Sequence, residues 1–501
     1  MSSMRGIDTP VRQRRRRVFK EVANLAYNSV NLKDDMEALP YQIVDYEESR
    51  YRESVYRDRA IIRERIRLAM GMSLRPENRE RPGHLTQGLE ESNIGEKYYE
   101  PPLMQVIPSA CNACPENHYE VTSSCMGCVA HPCHSVCPRG AISMVNGKSV
   151  IDQEKCIKCG KCKDVCPYDA ICHKERPCKA ACGVNAIKSD RFGRAYIDND
   201  MCVSCGMCMV SCPFGAIGSK TFMVDVIRLI KAGKRVVAMV APATEGQFGP
   251  DITMASWKIA LKQLGFADMV EVGLGGDMTA AYEAEEWAQA HKEGKKMTTS
   301  CCPAFVNMIK QHFPMLLDNM STTVSPMCAV SRMIKSQNPE TITVFIGPCI
   351  AKKSESLDLN IEGNADYAMT FGEIRAMMRA KGVELQPAEN DYQESSVFGK
   401  RFGNGGGVTA AVLQCLEEME ESTDIKVARC NGAAECKKAL LLMKVGRLPE
   451  DFVEGMACVG GCVGGPSRHK TEVEAKKARD QLIGAAEERR VLENLKKYPM
   501  D

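Results

Sequence analysis

The sequence predicts an α/β domain that follows a small, cysteine-rich α+β domain and, before that, a helical extension at the N-terminus. Residues 1–100 contain no cysteine and are rich in Arg and Glu, whereas 17 of the 26 cysteines lie in residues 101–220. From about residue 221 onward, apolar strands alternate with amphipathic helices, as is typical of an α/β domain. We therefore divide the 501 residues into parts 1–100, 101–220 and 221–501, the last ending in a helical tail.

The extension is expected to be helical because Tyr, Ile, Val and Leu recur among paired charges over residues 45–72. Pro76 and Pro82 should end this helix, and the polar residues up to Asn93 are typical of a linker. Residues 14–20 resemble a twin-arginine export signal, but no apolar stretch follows them. A basic first turn on a solvated helix is the interpretation we favour.

The composition limits the classes of partner. The net charge is only +2, so no overall electrostatic field favours nucleic acid or an anionic membrane surface. No apolar run reaches the roughly 18 residues that a membrane span needs. The spacing of the cysteines indicates metal ligation in a reducing compartment rather than a disulfide framework, so we expect a soluble, cytoplasmic protein.

Two regular cysteine runs, each followed by proline, match the bacterial ferredoxin pattern, in which three thiolates hold one [4Fe-4S] cluster and the fourth reaches a neighbouring cluster. These runs consist of Cys156, Cys159, Cys162 and Cys166, and of Cys202, Cys205, Cys208 and Cys212. The tight loop wraps three corners of a cubane, and the proline turns the chain away from it. A structural zinc site would instead need isolated cysteine pairs, and we regard it as the weaker alternative.

Two less regular runs extend the same repeat. They consist of Cys125, Cys128, Cys133 and Cys137, and of the short set Cys172, Cys178 and Cys182, which could borrow Cys111 or Cys114. Seventeen thiols exceed the sixteen that four cubanes need, so we expect three or four accessory [4Fe-4S] clusters, with the pairing of the repeats left open. Such a row of clusters carries electrons to or from a buried reaction site; purely structural clusters are the alternative.

In the third part, buried strands are predicted at residues 235–240 and 341–346, and helices at residues 252–264 and 410–419. The remaining cysteine motifs then fall on loops, where α/β sheets place their sites. Three of these loops, residues 299–305, 347–355 and 454–462, offer four thiolates for one iron-sulfur cluster. They also carry Cys301, Lys352 and Met456, which cluster ligation does not need, and this surplus predicts a reaction site.

These three loops resemble the signature motifs of the [FeFe]-hydrogenase family over about residues 221–470. The resemblance implies a two-lobed catalytic domain with an H-cluster between the lobes. Cys302, Cys349, Cys458 and Cys462 would hold its [4Fe-4S] half, with Cys462 bridging to a diiron subsite that carries CO, cyanide and an azadithiolate. The implied reaction is reversible reduction of protons to H2, with a soluble ferredoxin or similar carrier as electron partner and dedicated maturation proteins to supply the cofactor.

The resemblance also assigns roles around the metals. Cys301 occupies the position of the proton-relay thiol, and Glu283, Glu286 and Ser321 those of the further relay groups. The two glutamates are three residues apart and so share one face of a helix.

Outer-shell groups tune a site that carries diatomic ligands. Lys352 is placed to donate to a cyanide, with Glu355 as its counter-ion, and Met456 supplies a soft contact beside the diiron atoms.

The sequence departs from the better-known hydrogenases at several positions. Gly347 stands where methionine is usual, Phe305 replaces tryptophan, Ala243 replaces serine, and the residues after Gly464-Gly465-Pro466 lack the usual Gln-Pro. These features resemble the second branch of the family, with its Thr-Ser-Cys-Cys-Pro-Ala-Phe motif. They leave the catalytic bias and oxygen sensitivity open, but not the hydrogen chemistry.

Two other functions stay open. A cytosolic iron-sulfur assembly factor keeps the cubane ligands without a diiron site, and would not need Cys301, Lys352 and Met456 together. A hydrogen sensor would be expected to lose the relay thiol and to carry a signalling domain. Cys328, Cys415, Cys430 and Cys436 have no assigned role and are expected to be buried thiols. The glycine run at residues 402–408 lacks the Lys-Ser/Thr of a phosphate loop.

Overall fold

The computed structural model describes residues 7–46, 52–75, 83–89, 102–484 and 490–498. The N-terminal extension contributes α1 (Pro10–Asn28), α2 (Leu32–Ile43) and α3 (Val55–Ala69). Thr9 caps α1 by accepting a hydrogen bond from the backbone N–H of Arg12 at 3.3 Å, and Pro10 occupies the first turn, where its missing N–H costs nothing.

The extension differs from expectation in two ways. No single helix covers residues 45–72, because Ser54 caps a new helix, α3, by accepting a hydrogen bond from the Arg57 backbone N–H. The basic run at residues 14–20 lies inside α1 and is not a solvated first turn, since Arg15 donates to the carbonyl of Ile217 at 2.8 Å. The predicted helix end at Pro76 and Pro82 and the linker beyond Leu89 lie outside the described residues.

The cysteine-rich part is built from four short antiparallel ladders. Its elements are β1 (Met104–Val106), β2 (His118–Val121), α4 (Pro132–Ser135), β3 (Ile142–Val145), β4 (Lys148–Ile151), α5 (Lys161–Asp164), β5 (Ile171–Lys174), α6 (Pro177–Ala180), β6 (Ile187–Ser189), β7 (Ala195–Ile197), α7 (Met207–Ser211) and β8 (Ile217–Ser219). The ladders pair β1 with β8, β2 with β5, β3 with β4 and β6 with β7. Strands this short bury little aliphatic surface, so the thiols make up much of the interior.

The third part has two parallel sheets. Its strands are β9 (Val236–Val240), β10 (Asp268–Glu271), β11 (Met297–Thr298), β12 (Ile342–Gly347), β13 (Tyr367–Thr370), β14 (Val427–Asn431) and β15 (Phe452–Met456). One sheet has the order β10-β9-β12-β13 and the other β11-β15-β14. The predicted strands are confirmed to within a residue at each end.

Helices cover these sheets. They are α8 (Met223–Lys231), α9 (Met254–Leu264), α10 (Val272–Lys292), α11 (Pro303–His312), α12 (Pro326–Gln337), α13 (Ala351–Ser356), α14 (Phe371–Lys381), α15 (Val397–Arg401), α16 (Gly407–Glu418), α17 (Ala433–Lys444), α18 (Glu472–Gly484) and α19 (Val491–Leu495). The helix predicted from residue 252 starts at Met254, where a capping box between Thr253 and Ser256 fixes its first turn. In the described parts of the chain, no helix has the length and apolar character to cross a membrane.

The sheets position the three cysteine loops. Cys302 follows β11, Cys349 follows β12 and Cys458 follows β15, so each loop leaves the carboxyl end of a parallel strand. A single apolar core joins the extension to one sheet, since Val22 and Leu39 pack in the same group as Val240 and Ile374. The extension therefore packs directly against the third part of the chain.

Candidate metal centre

Four thiols from both sheets converge on one place. Cys302 precedes the first turn of α11, Cys349 lies between β12 and α13, and Cys462 lies in a short helical turn at Gly461–Gly464. Burial, and after it the neighbouring Cys302, raise the pKa of Cys462 to about 11. Burial likewise raises the pKa of Cys349, and Cys462 and Cys302 add to the rise. Burial also raises the pKa of Cys458, and the other three thiols of this group add to it.

This donor set fits an iron-sulfur cubane. Buried thiolates that repel one another need a positive centre between them, and four cysteine thiolates are the usual ligands of a [4Fe-4S] cluster. Among the described residues, no three His, Cys, Asp or Glu side chains are placed to share a single metal ion. A cubane does not require that, because each of its four cysteines binds a different iron atom.

A buried thiol and a buried carboxylate lie beside this centre. Cys301 is only 7% exposed, and burial followed by the Glu283 carboxylate raises its pKa well above the usual range. Glu283, on α10, is fully buried. Burial and the charge of the neighbouring Glu286 raise the pKa of Glu283 to about 8. Neither carboxylate oxygen of Glu283 has a hydrogen-bond partner among the described residues.

Ser321 continues this set of groups toward the surface. Its Oγ donates to Glu286 Oε2 at 2.5 Å, and Ser321 is also close enough to Glu283 to lower its pKa slightly. The exposed Thr322 donates its backbone N–H to Glu286 Oε1 at 3.1 Å. The four predicted relay residues therefore lie in order from the buried thiol to the solvent.

Lys352 is fixed beside the thiols. Its Nζ lies 2.7 Å from Glu355 Oε2 and donates to Ser325 Oγ at 2.8 Å. Burial alone would lower the pKa of Lys352, but the Glu355 carboxylate and the thiols Cys349 and Cys301 together raise it. Glu355 is thus confirmed as the counter-ion. Sequence reasoning missed Ser325, whose signal is the Ser-Pro pair that starts α12.

The walls of the site are apolar and closely packed. Met456 ends β15 with 3% of its surface exposed, and Phe305 is fully buried. The Phe305 ring lies so close to Gly455 that a Cβ there would be 2.1 Å from it. At Gly347 a Cβ would lie 2.8 Å from the Phe345 ring, so a larger side chain at this position would require the ring to move. The two residues that differ from the better-known hydrogenases, Phe305 and Gly347, therefore fit closely against their neighbours in this structure.

Glu454 is a site residue whose role the sequence did not reveal. It is 1% exposed, and its carboxylate accepts hydrogen bonds from the backbone N–H groups of Gly406 at 2.8 Å and Thr409 at 3.1 Å. Burial raises its pKa despite these bonds. The glycine run at residues 402–408 also contacts the loop that carries Cys462, whose N–H donates to the Gly403 carbonyl at 2.8 Å. By binding Gly406 and Thr409, Glu454 therefore helps to hold this run against that loop.

The cysteine-rich part arranges its thiols in sets of four. Two small cavities are each lined by four cysteines, one by Cys137, Cys156, Cys159 and Cys162 and the other by Cys111, Cys114, Cys178 and Cys212. A third set, Cys182 with Cys202, Cys205 and Cys208, shows mutual effects on the thiol pKa values. By elimination, and by the ferredoxin spacing, we assign Cys125, Cys128, Cys133 and Cys166 to the fourth set. This assignment uses both Cys111 and Cys114 and leaves over Cys172, which lies in β5.

The sets are ordered relative to the metal centre. Burial raises the pKa of Cys205 to about 12, with Cys202, Cys182 and then Cys302 of the centre as further causes. Cys208 of the same set is influenced by Cys178 of the next one. Among the cysteines, all of which the structure describes, only Cys159 is exposed. These effects place the set of Cys202 between the buried centre and the set of Cys178.

The other four cysteines belong to none of these sets, although Cys436 is close enough to Cys302 and Cys458 for both to raise its pKa. Cys328, Cys415, Cys430 and Cys436 are buried, as expected. A side-chain hydrogen bond links Cys430 and Cys436, lowering the pKa of Cys430 and raising that of Cys436.

Comparison with known proteins agrees with this geometry. Residues 234–466 match the family described as iron only hydrogenase large subunit, C-terminal domain, and residues 149–172 and 195–218 match the 4Fe-4S binding domain. The periplasmic [Fe] hydrogenase large subunit of Nitratidesulfovibrio vulgaris is 28% identical over 371 residues, 63% of this chain and 85% of that protein. Iron hydrogenase 1 of Clostridium pasteurianum is 29% identical over 315 residues, 50% of this chain and 54% of that protein. The cytosolic Fe-S cluster assembly factor narfl of Xenopus tropicalis is 24% identical over 271 residues, 43% of this chain and 57% of that protein.

Proposed function

We propose that this [FeFe]-hydrogenase-like protein interconverts protons, electrons and H2 at an H-cluster held by Cys302, Cys349, Cys458 and Cys462. The observation that carries the proposal is the presence, beside four convergent thiols, of a relay thiol at Cys301 and a lysine fixed by Glu355. Cluster ligation alone explains neither group. When bound, the diiron subsite would supply the metal at which two protons and two electrons combine.

The relay residues would move protons between that subsite and solvent. The Cys301 thiol stays protonated at neutral pH, because its pKa is raised. Glu283, with a pKa of about 8, can accept or release a proton near neutral pH, as a general acid or base should. Ser321 Oγ and the Glu286 carboxylate would carry the proton on to the exposed Thr322.

Lys352 would anchor a cyanide. An ammonium group has three N–H donors, and the contacts to Ser325 and Glu355 use two of them. The third is left for a ligand between the thiols, and the Glu355 carboxylate holds the charge of Lys352 in place. Met456, at the end of β15, would provide the soft apolar contact beside the metals.

Electrons would pass through the four cysteine sets, each holding a [4Fe-4S] cluster. The exposed Cys159 marks the end at which a soluble ferredoxin or similar carrier would dock. We further propose that dedicated maturation proteins supply the diiron subsite, and that the protein works in the cytoplasm, because its many cysteines need to remain reduced.

An iron-sulfur assembly factor is the second candidate, and the similarity to the Xenopus protein favours it. Such a protein would hold cubanes at the same thiols without a diiron subsite. The two candidates differ in one respect: only in a hydrogenase would Cys301, Lys352 and Met456 contact a metal that carries CO and cyanide.

Infrared spectroscopy distinguishes them. The protein is matured with the dedicated assembly proteins, in parallel with a hydrogenase that is known to load, and we expect bands of metal-bound CO and cyanide together with H2 evolution. The Cys301→Ala variant should keep the bands and lose at least about 100-fold in turnover. No bands in this protein, with bands in the parallel sample, would contradict the proposal and favour the assembly factor.

A further inference from the structure

A cavity of about 560 Å³ lies where the extension, the cysteine-rich part and the catalytic domain meet. Its volume is within the range of pockets that bind drug-sized organic molecules, and well beyond what a single phosphate needs. Nine arginines line it, with Asp58 as the one carboxylate in its wall: Arg12, Arg14, Arg15, Arg16, Arg52, Arg65, Arg375, Arg379 and Arg468.

Some of these arginines are explained by the fold. Arg52 donates to the carbonyls of Ala110 and Phe214, and Arg65 to that of Gly215 at 2.5 Å. They lie toward Cys212, whose thiolate offsets part of the charge on Arg65. This end of the cavity holds the helices of the extension to the cysteine-rich part.

The other end is different. Arg12 and Arg16 are one turn apart on α1, and Arg375 and Arg379 are one turn apart on α14, which packs against α1. Arg375 donates to the His469 ring at 3.0 Å. Within the described ranges, Asp8, which pairs with Arg16 at 2.9 Å, is the only carboxylate that offsets these cations.

Mutual repulsion accompanies this arrangement. Burial, and after it the charges of Arg379, Arg16 and Arg12, lower the pKa of Arg375 to about 10. Burial lowers the pKa of His469, and together with Arg375, Arg16, Arg12 and Lys470 it brings this pKa to about 4, so the ring is neutral near neutral pH. Four guanidinium groups thus lie close enough to repel one another, and Asp8 offsets only part of their charge, an imbalance that a bound anion would relieve.

Apolar side chains form much of the remaining wall. They include Phe19, Ile62, Phe214, Ile350 and Phe371. Inorganic anions gain nothing from such a surface, whereas the ring system of an organic phosphate does.

We propose that this cavity binds a nucleotide-class molecule, with two or more negative charges on phosphate groups held by Arg12, Arg375 and Arg379 and a ring system against the apolar wall. Met209 and Cys212 also line the cavity, so the ligand would lie against one of the four-cysteine sets. Its negative charge would oppose reduction of a cluster held there. The ligand would therefore couple the electron path to the level of a soluble metabolite.

The test is calorimetric titration of the full-length, cluster-loaded protein at fixed ionic strength with ATP, ADP, FMN and inorganic pyrophosphate as separate probes. We expect saturable binding of at least one nucleotide, at least tenfold tighter than pyrophosphate. Arg375→Gln and Arg379→Gln should each weaken it about tenfold or more, because each removes a charge-assisted hydrogen bond to phosphate. Arg17→Gln, on the same helix but outside the cavity, should leave binding unchanged.

Three outcomes would overturn the proposal: no binding of any nucleotide at millimolar concentration, equal binding of pyrophosphate and nucleotides, or equal loss with Arg17→Gln. Binding of an oligoglutamate peptide in place of nucleotides would also overturn it and indicate an acidic protein partner. A redox titration of the clusters with and without the bound nucleotide gives a second readout, with a lower midpoint potential expected when it is bound. Neither measurement involves H2, so failure here is distinct from failure of the hydrogenase proposal.

Discussion

Glu283 combines features that seldom occur together at one residue. It is fully buried, its carboxylate oxygens have no hydrogen-bond partner among the described residues, and its pKa is raised to about 8. Burying an unsatisfied carboxyl group costs free energy, and such a cost is typical of functional groups rather than of packing. The residue therefore gives the clearest tests of the relay.

Replacing this carboxyl by an amide should stop proton transfer without disturbing the metals. We expect Glu283→Gln to lower H2 turnover by about 100-fold or more, within the usual contribution of a general acid or base. Iron content and infrared bands should match those of the wild type. Glu285→Gln, on the exposed face of the same helix, is the matched control and should retain full activity. Equal losses in both variants would indicate a structural effect on α10.

The raised pKa of Glu283 also predicts a pH dependence of stability. In the unfolded chain this carboxyl ionises near pH 4.5, whereas in the folded protein it ionises near pH 8, so the favourable contribution of the neutral form is lost as pH rises through that window. Glu283→Gln cannot ionise. The melting temperature of the variant minus that of the wild type should therefore increase by about 2–5 °C from pH 5 to pH 9, because only the wild type loses this contribution. A constant difference across this range would contradict the raised pKa.

At the scale of elements, each regular cysteine run gives three thiols to one set and its fourth to another. Runs that are neighbours in sequence exchange these fourth thiols: Cys137 joins the set of Cys156, and Cys182 joins the set of Cys202. Cys172 takes no part. The repeats thus pair sequentially.

This grouping predicts the iron content of two variants. Cys172→Ser should keep the full complement of iron, because the assignment above leaves this thiol without a set. Cys178→Ser, which is only six residues further along, should lose up to four iron atoms per chain, because it removes one of four ligands. Iron analysis and electron paramagnetic resonance of the reduced proteins measure both. Loss of iron from Cys172→Ser alone would require a different assignment.

Local spacing explains which of these elements could be predicted. The cysteine runs, the loops after β11, β12 and β15, and the helix that carries Glu283 and Glu286 all follow from patterns within about ten residues. The partner of each fourth thiol does not, because Cys111 and Cys212 are a hundred residues apart and only the fold brings them together. The contact of Ser325 with Lys352 and the arginine cavity have the same long-range origin.

At the scale of the whole molecule, the three parts share buried contacts. Lys353, beside the ligand loop, forms an ion pair with Glu373 of α14 at 2.7 Å and donates to the carbonyl of Lys220 at 2.8 Å. Glu373 also accepts a hydrogen bond from the Phe222 backbone N–H. This pair joins the end of the cysteine-rich part to the sheet that carries Cys349.

Breaking the pair on one side should be costly. Lys353→Met leaves the Glu373 carboxylate buried without its cation, and we expect it to destabilise the protein by about 3–5 kcal/mol. Adding Glu373→Gln should recover part of this loss, because the amide carries no charge and still accepts a hydrogen bond. Thermal unfolding of the cluster-loaded proteins measures the effect. A double variant no more stable than the single one would show that packing, and not charge, dominates at this position.

The ladder between β2 and β5 sets residues 118–174 apart from the rest. His118 pairs with Lys174 across this ladder, so the segment leaves and rejoins the body of the protein at one point. Both of the four-cysteine sets that involve residues 125–166 lie wholly inside it, with their own strands β3 and β4. The proposed electron path could therefore be shortened in one step. Removing this segment and joining the two ends that it leaves would give a shorter protein with the same metal centre, and the electron carrier would then dock at a different cysteine set.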